Sequence, residues 1–339
     1  MLNISKVKKL KVAAFAMATF CFAGMAQATL LQLAPINELT TTTYNNFQIQ
    51  SMDLNQKCSA AGDIRCLPSG PYPVQSSPGQ IYNEVVILSS VVNPNINNTP
   101  SPLGIGTPVD NPFQTPTGNQ GAAFQMTSGT EPGGAVATFL GDLIGTWEVK
   151  LSDLVSWLGA GKGAVFLFDN NQQGTGPAQS LNIWGQVNIV DSAGVVQNCF
   201  EFSLGSTGCG STAPAPAAYV PAIGNYCVST TNGAAYNVGT ASNAGSCTAT
   251  AGDYFVNDNL STSNAEYAVF SSALDSGLQG WADAGYLMSV NMLYNGNNAG
   301  AEQLWISSGL QTTFVPEPTS LALLGLGLLG LVAVRKRKV

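Results

Sequence analysis

The sequence predicts a mainly β body, an antiparallel β-sandwich or jelly-roll-like fold with one or two short helices. Three observations carry this expectation. Apolar and polar residues alternate with period two across the stretch 181–204, the pattern of half-buried strands. The strand candidates are separated by loops rich in Gly, Asn, Ser and Thr rather than by long helices, which favours antiparallel pairing. No unit repeats along the 339 residues, so neither a solenoid nor a propeller is indicated.

The chain opens with a region expected to leave the mature protein. Lys6, Lys8, Lys9 and Lys11 form a basic segment, Val12 to Met25 an apolar one, and Ala26-Gln27-Ala28 a small-residue cleavage triplet. Together they read as a secretory signal peptide over residues 1–28, cut between Ala28 and Thr29 by a signal peptidase after Sec-type export.

The body follows as residues 29–314. Eleven of the chain's 18 prolines fall in 68–132. Proline cannot donate to a strand ladder, so this stretch should be dominated by loops, with one strand in Glu84 to Val92. A short helix is expected at Leu151 to Gly159, with Ser152 as its cap and Leu151, Leu154, Val155 and Leu158 on one side. Ala164 to Phe168 reads as a buried strand. The clearest signal is the hairpin that follows. Leu181, Ile183, Val187 and Ile189 alternate with Asn182, Gln186 and Asn188, the turn Asp191 to Gly194 intervenes, and Val196, Phe200, Phe202 and Leu204 return with Glu201 and Ser203 on the polar side. Further strands are expected at Tyr226 to Ser229, Tyr286 to Leu293 and Gln303 to Ser307.

Ser263-Asn264-Ala265-Glu266 fits a capping box, and Tyr267, Phe270, Leu274, Leu278 and Trp281 step at helical spacing, so a longer helix is expected there. Tyr267 to Ser271 also fits a strand, the second choice.

Export changes how the cysteines are read. Six of the seven follow the signal peptide, an even count in an oxidising compartment, where disulfides are expected. Six cysteines allow 15 connectivities. Pairing of sequence neighbours, Cys58–Cys66, Cys199–Cys209 and Cys227–Cys247, closes short loops at little entropic cost.

Charge excludes one class of partner. The body holds only Lys57, Arg65, Lys150 and Lys162 against 18 acids, a formal net charge of −14. A surface this anionic repels phosphate backbones, so no nucleic-acid partner is expected. The chain has no histidine, which removes Ser-His-Asp and Cys-His catalysis and His-ligated metals. A carboxylate-based hydrolase is the remaining enzymatic option, and no residue pair singles it out, so no catalytic residue and no cofactor is expected. Asp169, Asn171 and Gln173, with Gly174 after them, resemble the start of a calcium loop, but Ser180 stands where a bidentate Glu is needed. Asp253, Asn257, Asp258 and Asn259 form a second loose oxygen cluster. Trp184 sits on the polar side of its strand and is the candidate for stacking on a sugar, whereas Trp157 and Trp281 lie on apolar helix faces.

The chain closes with Val315-Pro316-Glu317-Pro318, an apolar helix over 319–334 and a basic stop, Arg335, Lys336, Arg337 and Lys338, within the tail 335–339. The apolar run Leu321 to Val334 rises only ~21 Å as a helix, short of a hydrocarbon core of roughly 30 Å. The cations fix the C-terminus in the cytoplasm, and the prolines bar helix through the motif. This order resembles the PEP-CTERM sorting signal of exosortase substrates in Gram-negative bacteria that make exopolysaccharide, here over residues 315–339. The resemblance implies transient retention in the inner membrane, processing by an exosortase-like membrane enzyme near Pro316, Glu317 and Pro318, and delivery to the cell surface or extracellular matrix. The segment Tyr286 to Ile306, with its "AEQLWI", also resembles bodies found on some PEP-CTERM proteins. The expected function is therefore a non-enzymatic surface or matrix protein, with a carbohydrate-binding module for exopolysaccharide as the alternative and a secreted hydrolase third.

Overall fold

A computed structural model describes residues 41–61, 85–89, 109–115, 122–126, 143, 145–159, 161–170, 181–210, 214–221, 226–231, 235–237, 247, 252–257, 260, 265–297 and 302–307. The expected signal peptide, the apolar helix 319–334, the residues 315–318 and 335–339, and Cys66 lie outside them.

In chain order the elements begin with β1 (Thr41–Tyr44), β2 (Phe47–Ser51), α1 (Met52–Ala60), β3 (Val85–Ser89), β4 (Phe113–Gln114), β5 (Ala122–Gln125), β6 (Trp147–Lys150) and α2 (Leu151–Leu158). They continue through β7 (Val165–Asp169), β8 (Asn182–Val190), β9 (Val196–Phe202), β10 (Val220–Pro221), β11 (Tyr226–Val228), β12 (Ala235–Asn237) and β13 (Tyr254–Val256). The last are β14 (Tyr267–Phe270), α3 (Ser272–Asp283), β15 (Leu287–Asn297) and β16 (Gln303–Ile306). The described residues are mainly β, with three short α-helices among them where one or two were expected.

A seven-stranded sheet runs β1-β2-β14-β7-β16-β3-β4, antiparallel except where β3 meets β4. A six-stranded sheet runs β10-β8-β15-β5, with β9 on β8 and β6 on β15. A small sheet, β12-β11-β13, stands apart. The main core cluster joins Phe47, Ile87, Phe166, Phe168, Leu304 and Ile306 of the first sheet to Ile183, Val187, Ile189, Phe200, Val290 and Tyr294 of the second. The α2 and α3 side chains Leu154, Leu158, Leu274 and Leu278 join the same cluster. Aromatic rings bridge the sheets: Tyr44 meets Phe202 edge-on at 5.4 Å, and Phe168 meets Tyr294 at 5.9 Å. At the centre, Gly185 lies opposite Met292, and a Cβ at Gly185 would come within 2.6 Å of the Met292 Sδ. The glycine makes room for a core thioether.

The strand expected at Ala164 to Phe168 and the hairpin 181–204 form as β7, β8 and β9, but Leu204, expected on the apolar face, lies beyond β9 and is 55% exposed. Asp191 organises the turn by accepting from the N–H groups of Ala193 (2.8 Å) and Val195 (3.0 Å). Three local expectations are corrected. The helix expected from Ser263 starts at Ser272 instead. Tyr267–Phe270 is a strand between β2 and β7, with Ala268 and Phe270 buried on one face and Tyr267 and Val269 half-buried on the other. The cap is Ser271, whose Oγ accepts from the Leu274 N–H (3.3 Å). Glu266 is drawn into the interior and takes no part in a capping box. Ser152 does not cap α2 either: that helix follows β6 without a loop, Lys150 stands at the cap position with no side-chain bond, and the Leu151 N–H bonds to the Tyr286 carbonyl (3.0 Å). Finally, the polar side of the 181–204 hairpin is not a solvent face. Gln186, Asn188, Glu201 and Ser203 are all buried.

Candidate functional site

The buried polar residues of the hairpin hold two covers in place. Glu201, only 2% exposed, accepts from Gln186 Nε2 (3.1 Å), Asn45 Nδ2 (2.9 Å), the Thr207 N–H (2.9 Å) and Thr207 Oγ1 (2.6 Å). Gln186 in turn donates to the Gly208 carbonyl (2.9 Å) and accepts from the Gly210 N–H (3.0 Å). The segment from Ser203 to Gly210, closed by the Cys199–Cys209 disulfide, is thereby folded back over the sheet. The second cover is the β1–β2 turn. Asn45 sits at φ 52°, a conformation in which asparagine is favoured over most residues. Its neighbour Asn46 exchanges two bonds with the Glu201 backbone, N–H to O (3.1 Å) and N–H to Oδ1 (2.9 Å). Thus one residue ties the edge of the second sheet to a turn of the first.

Trp184 shares this side of the sheet and is fully buried against Ala218, Leu293 and Tyr219. The sugar-stacking role expected for it is corrected accordingly: its indole is core. Trp157 and Trp281 are half-buried against the main core, with Trp281 5.8 Å from Phe200.

A second disulfide, Cys227–Cys247, fastens the small sheet. Cys58 on α1 is disulfide-bonded too, and buried against Leu54, Val228 and Val256. Polar contacts lock α1 to β13: Asp53 accepts from Lys57 Nζ (2.5 Å) and the Asn257 N–H (2.7 Å), and Lys57 also donates to the Phe255 carbonyl (2.8 Å).

Carboxyl groups raised by burial lie in three further places among the described residues. Asp110 and Glu148 face each other, 4% and 0% exposed. Burial first, then the Asp110 charge, pushes the Glu148 carboxyl well above the usual range, against bonds from Ser289 and Thr146 that pull it down. Asp169, of the expected calcium loop, is 2% exposed and hydrogen-bonded to Glu266, 1% exposed. Burial raises Asp169 to about 7 and Glu266 well above its ordinary value. Asn171 and Gln173 lie outside the described residues. The third place is Asp275 in the first turn of α3, which accepts from the Ala164 N–H (2.8 Å) and is raised by burial to about 7. Among the described residues no three of His, Cys, Asp and Glu gather closely enough to hold a metal by themselves.

Asp275 makes a pH prediction. Its folded-state pKa lies above the unfolded value of about 3.9, so the folded chain keeps a proton that the unfolded chain releases. The stability it contributes is complete below about pH 4 and is lost as pH rises through 7. Urea unfolding at pH 5 and pH 8 should therefore show Asp275→Asn losing less stability between the two than wild type, by about 1–3 kcal/mol. Equal losses in both proteins would contradict the burial of that carboxyl.

A PEP-CTERM protein-sorting motif at residues 314–338, behind this mainly β, disulfide-containing body, defines a surface protein sorted by an exosortase. The motif implies export, membrane-associated processing by an exosortase-type enzyme and then a place at the surface. The chain belongs to the family described as Domain of unknown function (DUF8239), which matches residues 31–293. That match ends inside β15, whereas β16, further on, lies between β7 and β3 in the seven-stranded sheet. No curated protein and no solved structure matches the chain.

Proposed function

We propose that this chain is a non-enzymatic building component of the cell surface or extracellular matrix, delivered by its C-terminal signal. The observation that carries the reading is the sorting motif joined to a body in which Glu201 and the described carboxyls of raised pKa are buried. Glu201 is saturated by internal donors, and the other carboxyls with raised pKa lie in buried places with internal bonds. A glycosidase needs two carboxyls flanking an accessible sugar bond. We read the two large sheets as the layers of a sandwich, supported by the core cluster that draws on both. Disulfides suit such a role, since they limit unfolding in an environment without chaperones.

Fractionation of cells carrying a tag inserted in the body tests this. The tag should appear in the surface and matrix fractions, with no hydrolytic release of sugar from the producer's polysaccharide. Retention in the cytoplasm, or turnover lost on replacing a single carboxylate, would sink the proposal.

A further inference from the structure

We propose that Asp169, Glu266 and Gln303 form a binding site for a divalent cation of the calcium type. The three come from distant parts of the chain and are placed side by side by strand register. Gln303 of β16 lies directly opposite Asp169 of β7. Tyr267 lies opposite Phe168, so one residue further Glu266 stands beside Asp169, where its N–H bonds to the Phe168 carbonyl (3.0 Å). Side chains alternate across a strand. Val165, Leu167, Ala268, Phe270 and Trp305 share one core cluster, so Asp169, Glu266 and Gln303 share that same face. The result is a row of three oxygen-bearing side chains across three adjacent strands, with neighbouring Cβ atoms about 4.5–5.5 Å apart. Oxygens on such neighbours can converge on one ion at the calcium–oxygen distance of about 2.3–2.6 Å.

Two observations ask for a ligand there. The first is Gln303. It is 5% exposed, and its amide oxygen has no hydrogen-bond donor. A buried amide oxygen without a partner loses its solvation uncompensated, a cost that a cation removes. The second is the carboxyl pair itself. Two carboxylates in a dry site are tolerable only with a proton or a cation between them. The charge acting on Glu266 is that of Asp169, which repels it. Two carboxylates and one divalent ion sum to zero.

The chemistry selects the ion. All donors are oxygens, with no thiolate or imidazole, which suits a hard cation. The site falls short of three acids because its third donor is an amide. Both Glu266 oxygens are already oriented by backbone donors, Oε2 by the Asn170 N–H (2.7 Å) and Oε1 by the Leu260 N–H (2.6 Å), the kind of outer support that fixes a ligating carboxylate.

Terbium(III) can stand in for calcium. Trp305 lies on the same face of β16 as Gln303, two residues or about 7 Å along the strand, close enough to sensitise the lanthanide. With the full chain in detergent micelles and tryptophan excitation, the expected result is sensitised emission that calcium displaces. Gln303→Met keeps the side-chain size, removes only the amide, and should weaken terbium at least about tenfold while leaving the circular dichroism unchanged. Asp169→Asn should do the same, and should it fail to fold, Gln303→Glu replaces it with the opposite expectation, tighter binding. Absence of sensitised emission overturns the proposal and leaves a proton-sharing pair. Emission indifferent to Gln303→Met overturns it equally, since the ion would then sit on other acids.

Discussion

Glu201→Ala should unfold at markedly lower urea, with a stability loss of about 3–5 kcal/mol and an unchanged denaturant slope. The size follows from how many donors lose their acceptor. Gln186 Nε2, Asn45 Nδ2, the Thr207 N–H and Thr207 Oγ1 all donate to this one buried carboxylate. An orphaned buried donor costs about 1–3 kcal/mol, a cost that falls mainly on Gln186, whereas water recovers part of it at the half-buried Thr207 and the exposed Asn45. The loss should also be local in its first signs. Amide exchange should accelerate at Thr207 and Gly210, and the Cys199–Cys209 disulfide should reduce faster. Glu201→Gln retains one acceptor oxygen and should lose about half as much. A loss under about 0.5 kcal/mol for the alanine variant, the size typical of a surface site, would show that the polar side of the hairpin is open to solvent after all.

The second large effect concerns address. Deleting Pro316 to Pro318 should leave the protein in the membrane fraction, uncut, with the body still folded and disulfide-bonded. Proline disfavours helix at the residue before it, so Pro316 and Pro318 are expected to present extended backbone where the apolar run begins. Without them the helix can extend backward and the processing enzyme meets a helical backbone in place of an extended one. Replacing Glu317 alone by Gln keeps the geometry and separates backbone presentation from charge. Normal release of the deletion variant would mean that the motif is not what the processing enzyme recognises.

What the sequence revealed depended on the range of the interactions involved. The hairpin 181–204 was legible because alternation and its turn are local. Which of its sides met solvent was not, because Gln186, Glu201 and Trp184 are covered by segments outside β8 and β9, namely the loop 203–210 that continues from β9, the turn at Asn45 and the residues around Ala218. Alternation reports two sides, and only tertiary structure says whether the polar one is wet. The segment 263–281 misled for a different reason. Tyr267, Phe270 and Leu274 satisfy helical spacing, and Ala268 with Phe270 satisfy a strand's. Pairing with β2 and β7 decided it, moving the start of the helix to Ser271. Helix α1 escaped notice although Ser51 before it accepts from the Leu54 N–H (3.2 Å) and Asp53 pairs with Lys57, because it follows β2 with no intervening turn signal. Of the oxygen row, only Asp169 was read as a ligand in the sequence, and Glu266 was read as part of a capping box. Glu266 and Gln303 are 97 and 134 positions away, and strand register alone joins them.

The central claim is that this β body is exported and then released to the surface by cutting at its C-terminal signal. Mass spectrometry of the C-terminal peptide, on protein recovered from the cell surface and medium, tests it most directly. The account predicts chains ending near Pro316 to Pro318, free of Arg335 to Lys338 and with Cys199–Cys209 and Cys227–Cys247 intact. Surface protein that retains its terminus through Val339 would contradict it.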